Sequence, residues 1–172
     1  MRSRGISCLF GGLFFFAGLV TSIEPSSAAN CALYVRGETG VALYGPAGGW
    51  WGQAEARYAR GHLPAVGAIL VFKKTRHMPS GHVALVTKLV GPHEILVDHA
   101  NWRHGRVSRN MSVIDTSPNR DWTSVAVMEP RAGKHGRDNP AFGFIYPSVP
   151  PADPGEPARF VVATHALGDV RQ

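Results

Sequence analysis

The stretch Val66-Gly67-Ala68-Ile69-Leu70-Val71-Phe72, followed across a polar loop by Gly81-His82-Val83-Ala84-Leu85-Val86-Thr87-Lys88, decides how this chain folds. The first run is unbroken and apolar, the pattern of a strand buried on both faces. Pro79-Ser80-Gly81 turns the chain, and the second run is another strand. Gly91-Pro92 turns it again into a third, over 94–100. So short a link makes a hairpin, so these two strands pair antiparallel. Further strands are expected around 107–114 and 125–128, and Phe142-Gly143-Phe144-Ile145-Tyr146-Pro147 closes the folded part.

Working back from the strands, residues 30–60 read as mostly helical. Cys31, Leu33, Tyr34 and Val35 form a short apolar face, and Gly45-Pro46 and Gly48-Gly49 break it. Trp51, Ala54 and Tyr58 then recur at near-helical spacing. Helices followed by hairpin-linked strands predict an α+β protein, its N-terminal helices packed on an antiparallel sheet.

The two ends differ from this middle. Arg2 and Arg4 precede an apolar stretch that includes Leu13-Phe14-Phe15-Phe16, and Ser26-Ser27-Ala28-Ala29 supplies small residues. Positive end, short apolar core and small-residue exit make 1–29 a secretory signal peptide. The apolar run is too short for a comfortable membrane span. A periplasmic or extracellular monomer is expected, with no stable membrane span after cleavage. Residues 30–147 are then the folded domain, to which the chemistry below belongs. Pro150, Pro151, Pro154 and Pro157 mark 148–172 as a Pro-rich flexible tail. The net charge of +6 suits a polyanion or a solubilising surface. Nucleic acid as a partner rests on that charge alone, and export argues against it.

Export changes the cysteine count. Cys8 is discarded with the signal, which leaves Cys31 alone and no internal disulfide. A lone exported thiol pairs with another chain, is buried and inert, or is a nucleophile. Cysteine hydrolysis needs a thiolate, a histidine within reach, a group orienting that histidine, and oxyanion donors. Cys31 stands where the first helix starts, and free N–H groups there lower a thiol pKa and bind an oxyanion. His82 opens a strand behind Gly81, which leaves room for a backbone or substrate to come close. On the next strand Val97, His99 and Asn101 share one face, and Asp98 and Ala100 the other. Antiparallel pairing sets His82 beside 98–101, so either His99 or Asp98 can reach it.

The ordered set Asn30-Cys31-Ala32-Leu33-Tyr34-Val35, Gly40-Val41, Trp51, Ala54, Gly61, Pro64, the 66–72 strand, Gly81-His82-Val83-Ala84-Leu85-Val86 and His99-Ala100-Asn101-Trp102 resembles a CHAP domain, a cysteine, histidine-dependent amidohydrolase/peptidase. The resemblance runs over 30–102 and weakens toward 146. It implies the papain-like fold of the NlpC/P60 group and cleavage of a peptidoglycan amide, either the muramoyl–alanine bond or one within the stem peptide. It implies Cys31 as nucleophile and His82 as base. Where many such domains carry Glu-x-Asn, this chain has His99-Ala100-Asn101. His99 is therefore favoured as the orienting residue with Asn101 assisting, and Asp98 is the alternative.

The oxyanion would be held by the Cys31 N–H, with the Asn30 side chain a further candidate donor. Trp50, Trp51 and Trp102 either line a substrate groove or belong to the core. No cofactor or metal is expected. His82, His99, His104 and Asp98 would be the ligands of a rival zinc site, but no HExxH or CxxC spacing is present. The other rival is a catalytically vestigial module that binds the wall.

Overall fold

The computed structural model describes residues 30–148. The expected signal peptide 1–29 lies outside them, as does all of the expected tail but Ser148. Two short α-helices, α1 (Cys31–Thr39) and α2 (Trp50–Ala54), precede seven strands. These are β1 (Ala59–Gly61), β2 (Ile69–Phe72), β3 (His82–Gly91), β4 (Glu94–Ala100), β5 (Val107–Asp115), β6 (Ser124–Glu129) and β7 (Lys134–Tyr146).

The strands run in the order β1-β7-β2-β3-β4-β5-β6, and β7 also pairs with β6. Six strands therefore close into a barrel, with β1 attached outside the ring. This corrects the expected α+β, papain-like arrangement of helices on an open sheet. The fold is mostly β, and among the described residues its helices amount to α1, α2 and one 3-10 turn.

The closure comes from β7. Its first half, 134–140, pairs with β6, and its second half, 141–146, pairs with β1 and β2. Beyond the change of partner the register against β2 shifts between Ala141 and Gly143, and Gly143 has a φ of +120°. A Cβ there would stand 2.4 Å from the Gly61 carbonyl oxygen. Only glycine lets β1 and β7 approach this closely.

Alternation along the strands divides the apolar side chains into two clusters. Leu70, Phe72, Ala84, Val86, Ile95, Val97, Val113, Val125, Val127 and Phe144 fill the barrel. Ile69, Val71, Val83 and Ile145 face outward under Val35, Leu43, Trp50 and Ala54. β2 is thus covered on both faces, as its continuous apolar run predicted. The second helix is shorter than its spacing suggested. It stops at Ala54, and Tyr58 leads directly into β1.

Candidate active site

Asn30 starts α1. Its Oδ1 accepts from the N–H groups of Ala32 at 2.9 Å and Leu33 at 3.3 Å. This is an N-cap, and it fixes where the helix begins. At the other end Gly40 is left-handed with φ +70° and its N–H bonds Arg36, which terminates the helix. Cys31 is therefore the first helical residue. The Asn30 oxygen thus serves the helix, and its Nδ2 is the side-chain donor that the oxyanion expectation concerns.

The Cys31 thiol is half-buried against the outer cluster. Burial raises its pKa. Backbone groups of Val83, Ala32 and Cys31 itself hydrogen-bond the sulfur and pull the other way. The contact with Val83 puts the sulfur one residue from His82 along β3. No hydrogen bond joins Cys31 to His82 among the described residues.

The start of β3 is held by a close crossing. Gly81 has φ +69°, and a Cβ on it would lie 2.5 Å from both Cα and N of Gly48. The Gly48 N–H donates to the Ser80 carbonyl at 2.8 Å. The space that Gly81 provides is thus taken by another backbone.

His82 points into the barrel mouth, on the same face as Ala84 and Val86. Its ring meets Phe72 edge-on at 5.4 Å, Trp102 at 5.2 Å and His99 at 5.2 Å between centroids. His82 Nε2 lies 3.2 Å from His99 Nδ1. His99 is fully buried and stacks on Trp102 at 5.3 Å. With Nε2 so engaged, Nδ1 is the nitrogen of His82 left for proton transfer. If His82 donates across this bond, His99 carries its own proton on Nε2, which is buried and has no partner. Burial, reinforced by His99, holds His82 well below the ordinary imidazole range. Burial likewise lowers His99 to about 4, with Asp98 opposing.

Of the other expected residues, Asn101 lines the same cavity as His82, and Asp98 does not. Asp98 faces away from His82, toward α1 and β5. Its Oδ2 accepts from Arg109 Nη1 at 2.9 Å and from the Tyr34 hydroxyl at 3.4 Å. Its Oδ1 accepts from the Asn110 N–H at 2.7 Å. Asn101 is exposed with φ +62°, and its side chain accepts from the Gly105 N–H at 3.0 Å. Neither residue hydrogen-bonds His82 among the described residues. His104 is exposed, and no group of three His, Cys, Asp or Glu among the described residues is disposed to hold a metal ion. Of the tryptophans, Trp50 is core and Trp51 stacks on Phe142 at 5.7 Å.

Trp102 alone of these three lines the cavity beside His82, which has a volume of about 440 Å³. Glu129, Arg137 and Asn139 form its far wall. Sequence reasoning passed over all three. The alternation Val125-x-Val127-x-Glu129 was the signal that could have placed Glu129 on the inner face.

Residues 23–101 match the family model of the CHAP domain, beginning inside the stretch read as a signal peptide. No curated protein matches the chain. Among the solved structures similar to it is an N-acetylmuramoyl-L-alanine amidase from Staphylococcus aureus. That chain is 24% identical with a TM-score of 0.44, over 62% of this chain and 30% of that one. The present chain thus spans under a third of the amidase chain it resembles.

Proposed function

We propose that this chain, matched to the CHAP domain over residues 23–101, is an exported cysteine hydrolase cleaving an amide bond of peptidoglycan. The bond is either the muramoyl–alanine amide or one in the stem peptide. The observation that carries the reading is the pairing of His82 Nε2 with His99 Nδ1 at 3.2 Å, one residue from the backbone against which the Cys31 thiol rests. It leaves His82 Nδ1 as the base and gives it an orienting partner.

In this mechanism His82 takes the Cys31 proton as the sulfur attacks the amide carbonyl. The oxyanion forms at the start of α1, where Asn30 caps Ala32 and Leu33 and the Cys31 N–H, turned in the resting site to its own sulfur, becomes the donor. His82 then protonates the leaving amine, and the acyl-enzyme is hydrolysed by water that His82 activates. His99 holds the tautomer of His82, and Asp98 has no part.

The test is digestion of purified peptidoglycan by the mature protein beside Cys31→Ala, with fragments identified by mass spectrometry. New termini made only by the wild type would establish the hydrolase and name the bond. Release by neither protein, under reducing conditions and across wall types, would leave a vestigial wall-binding module.

A further inference from the structure

The cavity beside His82 is built from both charges, and they do not pair with each other. Along β6, Val125 and Val127 point into the barrel and Glu129 continues their face into its mouth. Along β7, Ala141, Asn139 and Arg137 do the same from the opposite strand. Glu129 lies across Gly136: a Cβ there would stand 3.0 Å from Glu129 Cγ, so this stretch of β7 leaves the carboxylate room.

Among the described residues no hydrogen bond or ion pair engages the side chain of Glu129 or Arg137. Asn139 is 2% exposed, and its Nδ2 donates to the carbonyls of Arg137 at 2.8 Å and Val125 at 3.4 Å. Its Oδ1 is left as an acceptor at the cavity wall. Opposite charges lining one cavity without meeting suit a ligand that carries both signs. An anion alone would face the Glu129 carboxylate, and a cation alone the guanidinium.

We propose that the barrel mouth is a subsite for a zwitterionic peptide group of the substrate, Arg137 taking a carboxylate, Glu129 an ammonium, and Asn139 Oδ1 a peptide N–H. The inference rests on the peptidoglycan reading and narrows it. It selects stem peptides whose free amine and free carboxylate both lie close to the bond presented to His82.

The full chain is assayed on native sacculi, on sacculi with carboxylates amidated, and on sacculi with amines acetylated. Wild type, Arg137→Gln and Glu129→Gln are compared. Each blocked group should slow the wild type about tenfold, the size of one charge-assisted hydrogen bond partly open to water. Arg137→Gln should lose the discrimination against amidation, and Glu129→Gln the discrimination against acetylation. Variants that keep the full discrimination of the wild type would overturn the subsite.

If the wild type releases nothing from native sacculi, the hydrolase reading falls, and the subsite is judged by binding. The wild type is then titrated with a free stem tetrapeptide and its amidated form, with chemical shifts followed at 129, 137 and 139. Shifts seen with the free peptide only would uphold the subsite. No shifts with either would end it.

Discussion

Replacing His99 with Glu tests the state in which the site rests. Burial raises the Cys31 thiol and depresses His82, so the two stand as neutral thiol and neutral imidazole rather than as an ion pair. Among the described residues no carboxylate hydrogen-bonds His82 to change this: Asp98 is turned to Arg109. A glutamate at 99 would place a negative charge about one ring separation from His82, 5.2 Å in the present pair. At an effective dielectric of about 20, that distance corresponds to roughly 3 kcal/mol in favour of the imidazolium, about a hundredfold. Desolvation of the new carboxylate subtracts part of it, so a gain of about ten- to a hundredfold is expected.

The assay is the rate of Cys31 alkylation by iodoacetamide across pH 4–9. In the wild type the rate should be low in acid and rise along one limb as the thiol deprotonates. In His99→Glu an acid plateau should appear, with alkylation near pH 5 faster by that factor. A wild type already reactive at pH 5, or a variant whose profile superimposes on it, would refute the reasoning.

Asp98→Ala removes the acceptor of Arg109 and of the Asn110 N–H. It should lower stability by about 2 kcal/mol in urea unfolding and leave the alkylation profile unmoved. A displaced profile would make Asp98 the orienting residue. Gly81→Ala puts a Cβ 2.5 Å from the Gly48 backbone at a φ of +69°, and the folded state should lose about 3 kcal/mol or more. A urea midpoint lowered by less than the equivalent of about 1 kcal/mol would mean that the crossing yields.

His99 titrates near 4 when folded, against about 6.5 when unfolded. The unfolded chain therefore binds the extra proton between these values. Stability should be unaffected above pH 6.5 and fall as pH drops toward 4, by up to about 3 kcal/mol from this residue. Urea unfolding at pH 7 and 4.5 measures it, and equal stabilities would contradict a neutral, buried His99.

Where the candidate residues stand on their elements was more legible in the sequence than the fold. Cys31 follows a residue that can cap a helix, and His82 follows a glycine that a crossing backbone requires. Both signals are local, and both residues stand where those signals put them. Strand alternation set His99 and Asp98 on opposite faces, and the register then chose between them. Asp98 sits opposite Leu85 on the outward side, while His99 reaches His82 inside.

No strand signal is carried by Lys134-His135-Gly136-Arg137-Asp138-Asn139-Pro140. Charged, with glycine, asparagine and proline, it reads as a loop. It is a strand because β6 lies beside it and because much of it faces solvent, where polar side chains carry no penalty. Without that segment the sheet stays open, and an open sheet with helices on it is what the rest of the pattern describes. The same omission hid Glu129, Arg137 and Asn139, which meet only when the ring closes.

The last strand of the domain pairs with its first strands, so the closed barrel depends on both ends of the domain. β7 pairs with residues 59–61 and 69–72 across more than sixty residues of chain, and loop closure of that length is slow. Cys31, His82 and His99 all precede residue 102, yet the barrel mouth that shapes their surroundings is complete only when residues 134–146 dock. A chain interrupted before them would carry all three of these residues and still lack the closed barrel around them.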